Sequence, residues 1–331
     1  MPHVSVAFLT SNLREEKMTY TIAMTNMKGG VGKTTMSVNL ATCLAKFHQK
    51  RVLLVDLDTQ ISATLSLMTP ADFAKLRNDK RTLRHLIHRA ILSDPKLPQI
   101  VPDAIHKYVC QVKGFDLLPG DIDLYDEFLV SQMLHKTAVQ KGQADFEQVW
   151  NEFEKNLIRQ VLDPIAKDYD LIILDCAPGY NLITRSALLA SNFYLIPAKP
   201  EPLSLIGIQL LERRLAKLKE THKTDTEQVE LELLGIAFSL SGNLLTSRYH
   251  GQVMKRLNED FSEAKLFKTR IPSDVNVSKA IDSFTPVVLN NPGTSGSRAF
   301  AMLAQELLQK LSLLTRTSQA ASKNLSLAAL D

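Results

Sequence analysis

The sequence predicts an α/β fold in which a mostly parallel, twisted β-sheet carries helices on both faces. Two observations predict it. Several short segments are almost continuously apolar and end in an acidic residue or in a turn, which is typical of strands buried on both faces of a parallel sheet. Segments with helical periodicity lie between them along the chain, as in consecutive βαβ units.

The first βαβ unit begins at Tyr20. "YTIAMT" is a short apolar run that stops at a glycine-rich turn, and "TTMSVNLATCLAKFHQ" after it has apolar residues at helical spacing. "RVLLVDLD" is a nearly continuous apolar run that ends in two aspartates. Strand, glycine-rich loop, helix and strand therefore follow in the order of a βαβ unit.

Later segments extend the same pattern. Strands are predicted in "FDLLPGD", "YDLIILDCAPG", "NFYLIPAKPEP" and "LLGIAFSLSGN", and helices in "FEQVWNEFEKNLIRQVLDPIA", "LSLIGIQLLERRLAKLKE" and "RAFAMLAQELLQKLSLL". We find neither an internal repeat nor a clear linker. We therefore predict one domain over residues 20–311, with a disordered extension at 1–19 and a flexible tail at 312–331.

Composition limits the function classes. The formal net charge of +4 and the sequence pI of about 8.8 permit binding to an acidic polymer without requiring it. The three cysteines lie far apart without a CxxC pair, which argues against disulfides, zinc and iron–sulfur clusters and fits a reducing cytoplasm. No segment approaches the roughly 20 apolar residues of a membrane span. We expect a cytoplasmic protein without stable membrane insertion.

The loop after the first predicted strand, "TNMKGGVGKTT", is close to the phosphate-binding pattern G-x-x-x-x-G-K-[ST]. Met27 replaces the first glycine of that pattern, and an additional lysine, Lys28, follows it. The loop glycines let successive N–H groups point inward and cradle phosphate oxygens at a helix N-terminus. In this pattern Lys33 supplies a charge for the β- and γ-phosphates, and the Thr34 hydroxyl binds Mg²⁺. A glycine-rich turn without a ligand is the alternative, but the order of elements favours a P-loop NTPase.

Acidic residues end two further predicted strands. Asp56 and Asp58 lie two residues apart in "VDLDTQ" and point the same way if the pleat continues. Beside a magnesium-nucleotide, one could hold the water shell of the metal while the other orients an attacking water; solvated turn aspartates are the alternative. Asp175 ends "LIILD", where a carboxylate can reach Mg²⁺ through water. We interpret the next residue, Cys176, as a small buried side chain rather than a nucleophile.

These three segments resemble the deviant Walker ATPases of the ParA/MinD class, and most closely the ParA-like partition and positioning ATPases. The resemblance is strongest over 20–66 and 168–200, fair over 268–305, and weak over 67–115. It implies an enzyme that hydrolyses ATP to ADP and phosphate, slowly without a partner, with ATP and Mg²⁺ as cofactors. It also implies that Lys28 reaches across a dimer interface to phosphates bound by the partner subunit, and that Asp58 positions the hydrolytic water. A solvated loop lysine is the alternative role for Lys28.

The candidate site residues follow from the pattern and the resemblance together. The catalytic candidates are Lys28, Lys33 and Asp58. The nucleotide-binding candidates are Lys28, Gly29, Gly30, Val31, Gly32, Lys33, Thr34, Thr35 and Gln60. The metal-binding candidates are Thr34, Asp56 and Asp175. Ile61 stands where the family often has glycine, which leaves the geometry of the loop after Asp58 open.

The resemblance further implies an ATP-sandwich homodimer that binds nucleoid DNA non-specifically. Such a dimer positions or segregates a cargo, for example a plasmid, a chromosome or a carboxysome-like body, through an adaptor of ParB or McdB type that stimulates hydrolysis. The candidate DNA contacts are Arg248, Lys255, Arg256, Lys268, Arg270 and Lys279. Acidic residues are interspersed among them, so an ordinary solvated face is the alternative.

Other function classes fit the sequence less well. A MinD-like, membrane-associated regulatory ATPase would need a basic amphipathic helix at the C-terminus, whereas "KLSLLTRTSQAASKNLSLAALD" is poor in cations and aromatic residues. An iron–sulfur carrier would need a cysteine pair that the sequence lacks. An ATP-dependent ligase or reductase would need a substrate pocket that we do not identify from the sequence.

Overall fold

A seven-stranded parallel sheet organises the computed structural model, which describes residues 18–140, 146–224, 228–239, 255–256, 259 and 261–328. The order of its strands is β3-β2-β4-β1-β5-β6-β7. The strands are β1 (Tyr20–Met24), β2 (Val52–Asp56), β3 (Phe115–Leu118), β4 (Leu171–Asp175), β5 (Phe193–Ala198), β6 (Glu232–Ser239) and β7 (Leu266–Ile271). The predicted α/β fold is confirmed.

Helices cover both faces of this sheet. Among the described residues they are α1 (Lys33–His48), α2 (Ser62–Leu65), α3 (Pro70–Asn78), α4 (Leu83–Ile91), α5 (Leu97–Ala104), α6 (Glu127–Gln140), α7 (Phe146–Asn156), α8 (Arg159–Leu162), α9 (Leu182–Leu189), α10 (Pro202–Thr221), α11 (Val275–Lys279), α12 (Val287–Asn290) and α13 (Ser295–Ala328). None of the helices in the described part of the chain is long and apolar enough to cross a membrane.

The central strands separate two hydrophobic cores. Side chains alternate across a strand, so Ile22 and Met24 of β1 join one core and Ala23 joins the other. The first core lies between the sheet and helices α1 and α13, and the second lies under α4 to α10. All five residues of β2 and of β4 are buried, as their continuous apolar sequences predict.

Two regions differ from what the sequence pattern suggests. Strand β7 is not among the predicted strands: it lies at the sheet edge, and its burial alternates only in part. Helix α13 continues to Ala328, through most of the segment that we predicted to be a flexible tail from residue 312. Of the predicted N-terminal extension, residues 1–17 lie outside the described residues, and the Thr19 hydroxyl donates hydrogen bonds to the carbonyls of Ala166 and Tyr169 (2.7 and 2.9 Å).

The segment with the weakest family resemblance, 67–115, forms α3, α4 and α5. It is attached to the loop that follows β3. The Thr82 hydroxyl donates to Asp121 Oδ2 (2.8 Å), and Leu83 N donates to the carbonyl of Pro119 (2.9 Å). Asp121, which is fully buried, also pairs with Arg77 of α3 (3.2 Å). Helices α3 and α4 are therefore held against the same loop.

Candidate active site

The glycine-rich loop connects β1 to α1. Gly30 (φ 69°) and Gly32 (φ 90°) adopt left-handed backbone conformations that glycine tolerates without a steric cost. Gly32 is the N-cap of α1, and its carbonyl accepts the first helical hydrogen bond, from Met36 N (2.9 Å). The first turn of α1 carries no acidic residue, so the positive end of the helix is left to bind an anion.

Two side chains that the sequence analysis missed fix this loop to the neighbouring strands. Asn26 is buried; its amide donates to the carbonyl of Pro197 in β5 (2.7 Å), and its Oδ1 accepts from Lys28 N (2.9 Å). Ser239, the last residue of β6, donates from its hydroxyl to the carbonyl of Val31 (3.1 Å). A polar residue two positions after the end of a buried strand is the one signal that could have indicated Asn26.

Lys33, the lysine of the ordinary phosphate-loop pattern, points inward. It is only 6% exposed, and its Nζ donates to the carbonyl of Lys28 across the loop (3.0 Å). Burial lowers the pKa of this ammonium, while the carboxylates of Asp175 and Asp58 act in the opposite direction. Val31 is buried and Thr35 lies half-buried in the first turn of α1, so both predicted loop residues lie at the same helix start.

The ends of three adjacent strands bring the predicted acids together. Met24 of β1 and Asp56 of β2 are both register partners of Asp175 in β4. The Ser37 hydroxyl of α1 donates to Asp175 Oδ1 (2.7 Å), which ties the strand end to the helix. Oδ2 of this buried carboxylate has no hydrogen-bond partner among the described residues. Burial raises the pKa of Asp175 to about 6, although the Ser37 and Thr34 hydroxyls and the Lys33 ammonium lower it in part.

Asp56 is buried completely beside Asp175. Its Oδ2 accepts from the backbone N and the hydroxyl of Thr64 (2.8 and 2.7 Å), and its Oδ1 accepts from Asp58 N (3.3 Å). Thr64, another residue that the sequence analysis missed, also accepts from Gly120 N at its hydroxyl (3.0 Å). A side chain at Gly120 would place its Cβ 2.9 Å from the Asp56 carbonyl oxygen. Burial, and then the charge of Asp175, raise the pKa of Asp56 to about 7.

We expect Asp56→Asn to stabilise the nucleotide-free protein at pH 8. The folded-state pKa of about 7 lies above the unfolded value of 3.8, so the folded state binds more protons between these values and its stability falls as pH rises. The full effect is on the order of 4 kcal/mol. Urea unfolding without magnesium should show the asparagine variant more stable than wild type at pH 8, with a much smaller difference at pH 5.

The matched control for this prediction is Asp79→Asn, because Asp79 is an exposed aspartate directly after α3. We expect it to unfold like the wild type at both pH values. If the stability difference of the Asp56→Asn variant were the same at pH 5 and pH 8, the argument from the buried charge would be wrong.

Asp58 and its loop lie next to this pair. Asp58 is 8% exposed, and its Oδ1 accepts from Gln60 N (3.0 Å), while the Gln60 side chain is exposed. Ile61 has φ 48° and ψ 31°, the left-handed conformation that glycine adopts easily, although its side chain is branched at Cβ and buried. The loop therefore has a glycine-like backbone at this position, and burial of the isoleucine side chain offsets the cost.

Lys28 lies at the solvent-exposed edge, or rim, of the glycine-rich loop. Its Nζ is 2.6 Å from Glu201 Oε2, and the two side chains are 43% and 36% exposed. Glu201 is the residue before α10. Gly29 lies beside the loop after β4, because a Cβ added there would be 3.9 Å from Pro178. The structure thus separates the two lysines: Lys33 is buried among the carboxylates, whereas Lys28 lies at the surface.

Cys176 follows Asp175 and is buried. Burial raises the pKa of its thiol, and Sγ donates a weak hydrogen bond to the Leu174 carbonyl (3.7 Å). These properties fit a small buried side chain and not a reactive thiolate.

The candidate DNA contacts are only partly located. Arg248 lies outside the described residues. The other candidates are all exposed: Lys255, Arg256, Lys268, Arg270 and Lys279. Lys268 and Arg270 project from the same face of edge strand β7, two residues apart. The backbone beside them is fixed, because the Glu306 carboxylate of α13 accepts from Lys268 N and Thr269 N (2.7 and 2.9 Å).

The residues present fit a magnesium ion that is held partly by a nucleotide. The described residues contain no cluster of three or more histidine, cysteine, aspartate or glutamate side chains that could hold a metal alone. Magnesium commonly takes only one or two protein carboxylates and completes its shell with water and phosphate oxygens. The Asp175 carboxylate, which interacts with the Thr34 hydroxyl and whose Oδ2 has no hydrogen-bond partner among the described residues, meets that requirement.

A glycine-rich loop at a helix N-terminus, a buried loop lysine and acids at the ends of adjacent parallel strands define a P-loop NTPase. Comparison with known proteins identifies which P-loop NTPases this chain resembles. A family model described as an AAA domain matches residues 19–228. The sporulation initiation inhibitor protein Soj of Bacillus subtilis is 30% identical over 288 residues, which cover 86% of this chain and 97% of Soj. The chromosome-partitioning ATPase Soj of Thermus thermophilus is 31% identical over 291 residues, or 88% and 96% of the two chains.

The chain therefore belongs to the ParA/MinD-type deviant Walker ATPases, and the predicted resemblance is confirmed. Solved structures show the shared fold. Cobyrinic acid a,c-diamide synthase from Mycobacterium smegmatis with bound ADP and magnesium has a TM-score of 0.63 at 23% identity, covering 89% of this chain and 96% of the synthase. Apo McdA from Cyanothece has a TM-score of 0.62 at 19% identity, covering 88% and 99%.

Proposed function

We propose that this protein is a ParA-like positioning ATPase whose ATP-bound form is a dimer. The dimer binds nucleoid DNA non-specifically, and an adaptor of ParB or McdB type stimulates hydrolysis and so releases it. The observation that carries the proposal is the arrangement of the two loop lysines. Lys33 lies where it can neutralise phosphates within its own subunit, whereas Lys28 lies at the rim, where a second subunit could approach.

The residues divide the work on one nucleotide. The loop N–H groups and Lys33 would bind the phosphates, while Thr34, Asp175 and Asp56 would hold Mg²⁺, directly or through water. Bound Mg²⁺ would stabilise the negative charge that develops on the phosphate oxygens during hydrolysis. It would also favour the ionised forms of Asp56 and Asp175, which burial otherwise disfavours. Magnesium-ATP thus compensates a charge arrangement that is unfavourable in its absence.

Hydrolysis would depend on Asp58 and Lys28, and both of these side chains contact other groups of their own subunit. Asp58 accepts from the backbone of its own loop, and it would orient the attacking water only after that loop adjusts. Lys28 is paired with Glu201 and would contribute to the phosphates of the partner subunit, where a cation stabilises transition-state charge as an arginine finger does. Slow turnover without the adaptor follows from both features.

We expect Lys28→Ala to retain ATP binding but to weaken ATP-dependent dimerisation at least tenfold, about 1.4 kcal/mol. The reason is that two phosphate-binding cations are removed from the interface while both phosphate loops stay intact. Light scattering with Mg²⁺ and a non-hydrolysable ATP analogue measures the dimer. ATP-dependent binding to DNA of arbitrary sequence, measured by electrophoretic mobility shift, should weaken together with dimerisation. The DNA affinity of the wild type should decrease steeply with added salt.

The control for this experiment is Lys46→Ala, which removes an exposed lysine from the far end of α1. This variant should dimerise and bind DNA as wild type does. A Lys28→Ala dimer of normal stability would contradict the role in trans. Flotation of the ATP form with anionic liposomes, without any DNA shift, would instead favour the MinD-like alternative.

A further inference from the structure

An exposed apolar stripe runs along α10. Leu203, Ile206 and Leu210 are 69%, 61% and 42% exposed, and their spacing places them on one face of the helix. The opposite face is buried in the core; its residues are Ser204, Ile208, Leu211, Leu215 and Leu218. Gly207 lies between the exposed residues, and a Cβ added there would meet no atom within 4 Å. The stripe is thus an exposed apolar surface on a helix whose other side is already packed in the core.

This stripe starts at the rim of the phosphate loop. Glu201, which holds the Lys28 ammonium at 2.6 Å, directly precedes α10, and Leu203 is two residues further on. The loop after β4 also contacts this helix, because the Tyr180 hydroxyl donates to the Arg214 carbonyl (3.1 Å). The rim with Lys28 therefore adjoins the start of α10, and the loop after β4 contacts the same helix further along, at Arg214.

We propose that a second copy of this chain covers Leu203, Ile206 and Leu210 in the ATP-bound dimer. This inference rests on the proposed function and extends it to a specific interaction surface. If Lys28 reaches the phosphates of a partner subunit, the rims of both subunits must come into close contact. The first turns of α10 are continuous with that rim and are then covered as well. In a two-fold symmetric dimer the same stripe is buried on both subunits.

The same approach also separates Lys28 from Glu201. The ion pair is exposed, and exposed pairs contribute little to stability, so its loss is a small obstacle. Burial of large apolar side chains at a contact is the dominant favourable contribution to association. The stripe thereby supplies the apolar part of an interface whose charged part is Lys28 and the nucleotides.

The test is Ile206→Asp, which places a charge at the centre of the stripe. The side chain is 61% exposed, so the variant should fold as wild type does, and circular dichroism checks this. Sedimentation with Mg²⁺ and a non-hydrolysable ATP analogue should show dimerisation weakened at least tenfold. Binding of a fluorescent ATP analogue should stay unchanged. The matched control is Met302→Asp, a residue 60% exposed on α13, which should dimerise normally.

The outcomes separate this inference from the proposed function. If wild type and Ile206→Asp dimerise equally, a second copy does not cover the stripe, and the proposed function stands without it. If the variant dimerises normally but no longer responds to an adaptor, the stripe binds that other protein, which also overturns the inference. If wild type itself stays monomeric with the analogue, both proposals are wrong. Should the aspartate variant unfold, Ile206→Ser is measured in its place, with the same expected direction.

Discussion

Lys33→Ala is expected to abolish ATP binding, with an affinity loss of at least a hundredfold, about 2.7 kcal/mol or more. Lys33 is the buried cation of the loop, and charge-assisted hydrogen bonds to phosphate are among the stronger polar contacts in proteins. Its removal would also leave Asp175 and Asp58 without the cation that offsets them, so that the site would repel a triphosphate. Titration with a fluorescent ATP analogue in the presence of Mg²⁺ measures the effect.

The neighbouring lysine provides the control for this experiment. Lys28→Ala removes a cation from the same loop but from its exposed rim, and it should bind the analogue almost as wild type does. Circular dichroism of both variants distinguishes lost binding from lost folding. An affinity for ATP within threefold of wild type in the Lys33→Ala protein would disprove the assignment of the phosphate loop.

Asp58→Ala is expected to stop ATP turnover while leaving the proposed ATP-bound dimer intact. A positioned base or water-orienting group contributes about 10²–10⁴-fold in rate, so we expect a loss of at least a hundredfold. Binding should persist because Asp58 is neither part of the glycine loop nor in contact with its backbone hydrogen bonds. Phosphate release measures turnover, and gel filtration after incubation with Mg²⁺ and ATP should show a persistent dimer peak.

Asp58 also shapes its own loop through the hydrogen bond from Gln60 N (3.0 Å). A second variant, Asp58→Asn, can keep that hydrogen bond while losing the charge, and we expect it to be as inactive as the alanine variant. Normal turnover in Asp58→Asn would assign the residue a purely structural role. Asp79→Ala, at an exposed aspartate, should hydrolyse ATP at the wild-type rate.

Local sequence patterns predicted the strands, loops and helices whose formation depends mainly on residues that are neighbours along the chain. Continuous apolar runs predicted β2 and β4, and the glycine pattern predicted the loop and the start of α1. The proximity of Asp56 and Asp175 could also be predicted, because parallel strands bring their carboxyl ends to one edge of the sheet. Edge strand β7 was not predicted, since only part of it is buried and its alternation is weak.

The contacts that position the site could not be predicted from the sequence. Ser37 meets Asp175 across 138 residues, Lys28 meets Glu201 across 173, and Ser239 meets the carbonyl of Val31 across 208. Serine and glutamate are common at surfaces and have no periodicity that would mark these positions. They acquire their roles only when the sheet brings distant strands together.

The hydrogen bonds of Thr64 have a mechanical consequence. Its hydroxyl connects the Asp56 carboxylate to Gly120 N, and the loop of Gly120 in turn carries the carbonyl and carboxylate that hold α3 and α4. A shift of that carboxylate toward a metal ion would pull on a continuous chain of hydrogen bonds and an ion pair that leads to helices α3 and α4. The carboxylate at the end of β2 and the surface helices α3 and α4 are thus mechanically coupled in one molecule.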